Sequence, residues 1–571
     1  MDKTRMQQYM SQMRAMFNKH ALYSDESPQY QIPFEPNPGD TVKIRFRTLK
    51  NNVDAVYFIS GSTRAQMQVG LVRNGFDYYE IEIPVGNEPI RYFFEIQAGR
   101  VVCYYNKLGV TRELQEMYSF GIIPGFHTPD WAKGAVMYQI FVDRFCNGDP
   151  SNDVLTGEYS YIGEQVNKVD DWNRFPEQMD VRNFYGGDLQ GVIDKMDYLQ
   201  DLGVQVIYLN PVFVSPSNHK YDIQDYDYID PHFGKIVSDE GDLLWPGDKD
   251  NTRATRYIDR VTNRANLEAS NELFIHLVEE AHKRGMKVHA WFNPYRVSTN
   301  TKPSTIAALN RTAYQTPSSV YVQHPEWVRI SGDRFVLDPG IPEVRDWITK
   351  VVTEVVANYA VDGVQFDDYF YAESPGSALN DSQTWRQYGQ GFASKADWRR
   401  HNTQQLIVQV SRAIKQTKPN VEFGVSPAGV WRNRSFDPAG SDTRGAAAYD
   451  ESYADTRQWV QQGLLDYIAP QIYWPFSRDA ARYDVLTKWW ADVVKPTHTR
   501  LYIGIAFYKV AEPSRNEPDW TVQGGVPELK KQLDLNESMP QIQGTILFRE
   551  NYLNQPQTQQ AVNYLKSRWG S

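Results

Sequence analysis

Residues 344–371, VRDWITKVVTEVVANYAVDGVQFDDYFY, decide the fold. The first part predicts an amphipathic helix and the run VDGVQF a short apolar strand, together one unit of a parallel β/α protein. Alternation along the strand sets Gly363, Gln365 and Asp367 on one face and Val364 and Phe366 on the other. The apolar pair belongs against helices, which turns Asp367 inward at the strand's C-terminal end. Asp368 follows where the alternation loosens. Seven further runs keep the same rhythm: AVMYQIFVDRF from Ala135, VQVIYLNPVF from Val204, MKVHAWFN from Met286, VEFGVSPAGV from Val421, LDYIAPQIYW from Leu465, LYIGIAFYKV from Leu501 and IQGTILFREN from Ile542. Eight such units over residues 126–571 fit a closed (β/α)8 TIM barrel with long loops better than an open doubly wound sheet. The first strand is also not followed by a Gly-rich phosphate loop.

Ahead of the barrel, residues 1–125 change period. TVKIRFRT, AVYFIS, YYEIEIPV and IRYFFEIQ alternate and are bounded by turn residues, the pattern of an immunoglobulin-like β-sandwich, and the link IIPGFHTPDW closes it. A chain of 571 residues is too long for one core, so two or three domains are expected, one of them large. A net charge of −10 provides no basic surface, which excludes nucleic acid as a partner. No run approaches a membrane span, which excludes a membrane. The first residues, MDKTRMQQYMSQMRAMF, carry no apolar core of signal-peptide length, and the expectation is a cytoplasmic protein. With Cys103 and Cys146 as the two cysteines there is no disulfide framework. The 15 Trp and 36 Tyr supply flat rings, most of them for packing and some for stacking on sugars.

Three segments, GAVMYQIFVDRFCNGDPSND (134–153), NFYGGDLQGVIDKMDYLQDLGVQVIYLNPVF (183–213) and SPSNHKYDIQDYDYIDPHFG (215–234), resemble the neopullulanase, cyclomaltodextrinase and maltogenic amylase branch of the alpha-amylase superfamily. The sandwich is similar to that group's starch-binding-type module, which implies a carbohydrate-binding module and a homodimer through the sandwich. From His289 onward the segments HAWFNPYR (289–296), HPEW (324–327), LDPGIPEVRDW (337–347), VDGVQFDDYFY (361–371), GVSPAGVWRN (424–433), DYIAPQIYW (466–474) and ILFREN (546–551) resemble a bacterial glycosyl-hydrolase-like family of (β/α)8 barrels. Some members of that family are associated with peptidoglycan glycan strands. The reading is a chimera, made by recombination or engineering, with an amylase-like part at 126–288 and a glycosyl-hydrolase-like part at 289–571. The amylase nucleophile, acid and His-Asp pair have no counterpart on strands four, five and seven.

Two neighbouring carboxyls at a barrel mouth can split into one ionised and one protonated group, the requirement of glycoside hydrolysis near neutral pH. The candidate catalytic residues are Asp367, Asp368 and Glu550, with Glu373 a further carboxyl in reach. Asn293, Arg296, Gln471, Tyr473 and Tyr508 are expected to line the cavity and bind substrate, and Trp291, Trp431 and Trp474 are candidate sugar platforms. A Tyr and an amide beside the reacting centre suit a sugar 2-substituent such as an acetamido group. The resemblance further implies a structural Ca²⁺ held by Asn147, Asp149, Asn152, Asp153, the Gly187 carbonyl and Asp188, hard oxygen donors that suit calcium. No organic cofactor is expected. Of the remaining amylase-type residues, Tyr138, Asn210, His219, Tyr221 and Asp222, His219 reads as a loop residue. The polar insert 238–264 reads as a solvated loop over the mouth, a lid. The function expected is cleavage of O-glycosidic bonds by carboxylate acid/base catalysis. The alternatives are a hybrid barrel of weak or no catalysis that binds carbohydrate through its sandwich, and a residual alpha-glucan hydrolase.

Overall fold

The computed structural model describes residues 17–114, 118–125, 135–172, 174, 180–298, 300–301, 303, 306, 319–371, 379–548 and 555–569. The chain divides into two compact units, Met1–Asp130 and Trp131–Ser571. In the first, Gln31–Ile32, Thr41–Leu49, Phe76–Pro84 and Gln68–Arg73 form one antiparallel sheet, and a second is built around Ala55–Ser60, Ile90–Ala98 and Val101–Asn106. The period-two pattern explains the sandwich. Val42, Ile44 and Phe46 of one sheet and Tyr92, Phe94 and Ile96 of the other are fully buried, and Phe46 meets Phe94 at 4.8 Å.

In the second unit eight parallel strands close into a barrel: β1 Ala135–Ile140, β2 Val206–Leu209, β3 Lys287–Phe292, β4 Gly363–Phe366, β5 Glu422–Val425, β6 Tyr467–Ile468, β7 Arg500–Ala506 and β8 Ile542–Phe548. Between β2 and β3 pairing is continuous from Val206↔Lys287 to Leu209↔Ala290. The ring is completed by β1 on β8, Ala135↔Gly544 to Tyr138↔Leu547. The helix before β4, Pro342–Asn358, starts on a proline at its first turn and buries Val344, Ile348, Val351, Val352 and Val355 along one stripe. That stripe covers the outward residues of the strands, among them Val364 and Phe366.

Inside the ring the floor is a buried ion pair between Glu422 and Arg500, the first residues of β5 and β7. Above it Tyr467 donates to Gln365 Oε1 at 3.0 Å, and its hydroxyl lies 3.0 Å from His289 Nδ1. Two glycines make room for these rings. A Cβ on Gly363 meets the His289 ring at 2.6 Å, and one on Gly424 collides with the Tyr467 ring. The lumen is therefore a packed, hydrogen-bonded core up to the level of Tyr208, Trp291 and Gln365.

The insert 238–264 corrects the expectation of a solvated loop in its second half: residues 239–250 are mostly exposed loop, but Thr255–Thr262 is a helix whose Tyr257 and Val261 join Tyr159, Tyr161, Phe184 and Val214 in a small separate core. Arg260 is 2% exposed, yet it reaches Glu158 at 2.9 Å and Asp239 at 2.8 Å. Glu158 lies 2.7 Å from His232 Nε2, His232 Nδ1 lies 2.9 Å from Asp230, and Asp230 lies 2.6 Å from Lys220 Nζ. An Arg-rich segment is buried here because opposite charges alternate along one chain of contacts, so each desolvated ion meets a partner.

Both ring nitrogens of His232 face carboxylates, and the doubly protonated ring satisfies both. Burial lowers its pKa, but Glu158 and Asp230 together raise it further. The charge on His232 stabilises the fold fully below the unfolded value of about 6.5 and is lost as pH climbs through the raised folded value. Thermal melts of the wild type and H232Q should therefore differ by about 2–4 °C at pH 6 and converge at alkaline pH. A difference independent of pH contradicts this assignment.

Candidate active site

At the end of β4, Asp367 continues the inward face begun by Gly363 and Gln365, while Val364 and Phe366 pack against the helices. Asp367 is 4% exposed and Asp368 partly exposed. The Tyr369 backbone N–H donates to Asp367 Oδ1 at 3.1 Å, which fixes the carboxyl's orientation. Strand register pairs Trp291 with Gln365 and Phe292 with Phe366, so Asn293 follows beside Asp367. Asn293 is 1% exposed, and among the described residues neither its Oδ1 nor its Nδ2 makes a hydrogen bond. A buried amide without partners is costly, which makes Asn293 a candidate for ligand contact.

Aromatic rings flank this pair on two sides. On one, Tyr221 lies 4.8 Å from Trp291, and the Arg296 guanidinium stands 5.5 Å from the Tyr221 ring and 4.5 Å from that of Tyr369. On the other, Tyr473 stacks on Phe548 at 5.3 Å, and Tyr508 meets both edge-on at 5.9 and 5.7 Å. Lys509 ties this wall together, donating to the Tyr473 carbonyl at 2.6 Å and pairing with Glu517 at 2.7 Å. Burial pushes the phenols of Tyr369 and Tyr473 upward, with Asp368 adding in both cases, so both stay protonated donors.

Asp367, Asp368, Asn293, Arg296, Tyr473 and Tyr508 all follow the C-terminal ends of barrel strands, β4, β3, β6 and β7. Gln471 is partly exposed on the same side and spends its amide N–H on the Ser426 carbonyl at 2.9 Å. The three tryptophans are corrected as platforms. Trp291 is a floor residue, 5% exposed. Trp431 is 4% exposed, held by Asp455 at 2.9 Å and parallel to Trp489 at 5.7 Å, and Trp474 packs against Gly429 and the barrel shell. Glu550 and Glu373 lie outside the described residues. Tyr138 faces the helices, fully buried, and Asp222 accepts from Ser215, Ser217 and Tyr161 inside the insert's base. Asn210 donates to the Tyr221 hydroxyl at 3.3 Å. Tyr369 and Phe548 escaped the sequence reading. Strand parity in ILFREN places Phe548 inward with Ile546, whereas nothing periodic identifies Tyr369, which follows the strand's end.

In the loop after β1, Asn147 Nδ2 donates to Asp153 at 2.7 Å, and Lys168 Nζ reaches the other Asp153 oxygen at 2.6 Å. Asn147 Oδ1 and Asn152 Oδ1 are buried without a donor among the described residues. Asp188 accepts from the backbone N–H groups of Gly148, Asp149 and Gly191 and from Asn152 Nδ2, and Asp149 caps the turn Pro150–Asn152. Gly187 donates its N–H to the Asp143 carbonyl at 2.8 Å. Among the described residues no group of three or more His, Cys, Asp or Glu converges as a metal site, so any cation here rests on the Asn carbonyls with Asp153. No helix among the described residues is long and apolar enough to cross a membrane.

A closed (β/α)8 barrel with a carboxylate couplet between aromatic walls at its C-terminal face, preceded by an immunoglobulin-like sandwich, defines a carbohydrate-active barrel of the glycoside-hydrolase class. Residues 212–522 match the family described as glycosyl hydrolase-like 10, and the chain belongs to that family. Residues 139–245 match the alpha amylase catalytic domain and residues 16–123 the alpha amylase N-terminal ig-like domain. The chain is 65% identical over 382 residues to the glycosyl hydrolase DigH of Escherichia coli K12, a match covering 67% of this chain and 80% of that protein. It is 43% identical over 281 residues to the glycosyl hydrolase YngK of Bacillus subtilis, covering 49% and 52%. It is 35% identical over 232 residues to a cyclomaltodextrinase of Thermoanaerobacter pseudethanolicus, covering 38% and 37%. The type III pullulan hydrolase of Thermococcus kodakarensis shares the fold, with a TM-score of 0.52 at 17% identity over 96% of this chain and 88% of that one. A match over two thirds of 571 residues cannot begin later than about residue 190. The likeness to DigH therefore runs through the second barrel unit and the insert, ahead of residue 289, and the two family matches overlap at 212–245.

Proposed function

We propose that the chain cleaves O-glycosidic bonds of an amino-sugar-containing glycan with Asp367 and Asp368 as its reacting carboxyls. The observation that carries this is the place of Asp367, inward on β4, anchored by the Tyr369 N–H and side by side with the partnerless amide of Asn293. The Tyr369 N–H fixes the orientation of the Asp367 carboxyl, which suits a stabilising or orienting group. Asp368, more open, is the group that exchanges a proton with the glycosidic oxygen. Asn293 offers both a donor and an acceptor, the complement of an acetamido group, and Tyr473 supplies a further hydroxyl from the opposite wall. The test is a screen of chitin-, peptidoglycan- and starch-derived oligosaccharides for release of new reducing ends. Turnover of the first or second class is expected, and turnover confined to starch-derived chains overturns the reading.

The barrel is read as composite, with its first two units amylase-like and the remainder from the glycosyl-hydrolase-like side. The early end of the amylase match and the absence of its catalytic set support this. Asn147, Asn152 and Asp153 present buried oxygens that fit Ca²⁺, which when bound supplies rigidity to the loop after β1 and takes no part in the chemistry. Dialysis against a chelator is expected to lower the melting temperature by a few degrees, with recovery on adding calcium but not magnesium. An unchanged melt removes the calcium assignment.

A further inference from the structure

We infer that Lys509 is a positioning residue for the glycan site: its ammonium pins the Tyr473 carbonyl and so sets the place of the Tyr473 hydroxyl that meets the bound sugar. The inference rests on the mouth being the glycan site proposed above, and it starts from the backbone. Residues 473–476, after β6, form neither helix nor strand, so their N–H and C=O groups need partners from elsewhere. Lys509 Nζ donates to the Tyr473 carbonyl at 2.6 Å, Gln532 Nε2 donates to the Trp474 carbonyl at 3.3 Å, and the Phe476 N–H donates to Glu528 Oε1 at 3.0 Å. Gln532 and Glu528 sit on the helix Val526–Ser538, whereas Lys509 follows the end of β7 beside Tyr508. The pin on Tyr473 itself is therefore the charged one, and a bond from an ion to a carbonyl is the stronger kind.

The loop after β7 keeps that ammonium in place. Glu517, 7% exposed, pairs with Lys509 Nζ at 2.7 Å. The loop returns there because the Ala511 N–H donates to the Trp520 carbonyl at 2.8 Å, with Ala511 held in the left-handed region at φ 63°, unfavourable for a residue with a Cβ. Asp519 accepts from Ser477 Oγ at 2.5 Å, so the same loop grips the segment after β6 at a second point. Stacking on Phe548 at 5.3 Å fixes the plane of the Tyr473 ring, and the carbonyl pin fixes how far the ring reaches. Among the described residues the Tyr473 hydroxyl makes no hydrogen bond, and the residue is partly exposed, which leaves the phenol to a ligand. Without the ammonium, the Tyr473 carbonyl and the Glu517 carboxylate both lose their partner, and the segment carrying the phenol shifts.

Two readouts separate positioning from bulk stability. Amide hydrogen exchange of residues 471–477, followed by mass spectrometry without any sugar, is expected to speed up about tenfold in K509M and about threefold in E517Q, with β5 unchanged. Unchanged exchange in that segment, or equal acceleration across the barrel, overturns the inference. With chitin- or peptidoglycan-derived oligosaccharides as substrate, K509M is expected to raise KM about tenfold with kcat little changed, and K509R to stay within about threefold of wild type. In a Y473F background K509M is expected to change KM by less than about twofold, since the group it positions is already gone. The same loss in both backgrounds overturns the inference. D367N is the control on the parent reading: if it remains active, the carboxylate assignment fails, while the exchange data still decide whether Lys509 holds the Tyr473 segment. E517Q keeps the ammonium and carries the test if K509M fails to fold.

Discussion

D367N is expected to lower kcat on the cleaved glycan roughly 10²–10⁴-fold while leaving the melting temperature within a degree or two of wild type. The amide is isosteric and still accepts the Tyr369 N–H at the position where Asp367 Oδ1 lies 3.1 Å away, so the mouth keeps its shape and loses one charge. D368N should cost a similar factor by removing the exchangeable proton. The two losses should not multiply, because two groups that serve one bond-breaking step act as a unit. Initial rates of reducing-end release, measured beside melting curves, check both expectations. Full activity in either variant contradicts the assignment of that residue.

K220M is expected to destabilise the fold by about 3–5 kcal/mol. Lys220 and Asp230 are both fully buried, with Nζ 2.6 Å from the carboxylate and 2.7 Å from the Ser215 carbonyl. Removing the ammonium strands a buried carboxylate that His232 alone then balances. The double variant K220M/D230N should recover a large part of the loss, because it removes the stranded charge along with its partner. A chemical denaturation series on wild type, single and double variants measures this directly. A double variant no better than K220M assigns the loss to packing and contradicts the electrostatic account.

The most readable part of the site was β4. Its alternation of Gly363, Gln365 and Asp367 against Val364 and Phe366 is a local property of a strand packed on helices, and the barrel preserves it. The same parity held for Gln471 and Tyr473 around the fully buried Ile472. Trp431 and Trp474 were misjudged because a large ring reads identically whether it stacks on a sugar or on a neighbour. The deciding contacts, Asp455 and Trp489 for one and Gly429 for the other, come from separate stretches of chain. The helical half of the insert is hidden from the sequence for a related reason. Arg260 reads as a solvated residue until Glu158, 102 positions earlier, is brought against it.

The most direct measurement on the barrel mouth is a crystal structure of D367N soaked with a chitin- or peptidoglycan-derived oligosaccharide. A sugar ring held between Tyr221 and the Tyr473–Phe548 side, with its 2-substituent on Asn293 and its glycosidic oxygen within reach of Asp368, is the expected result. An oligosaccharide bound elsewhere on the chain, or residue 367 turned toward the helices, contradicts it.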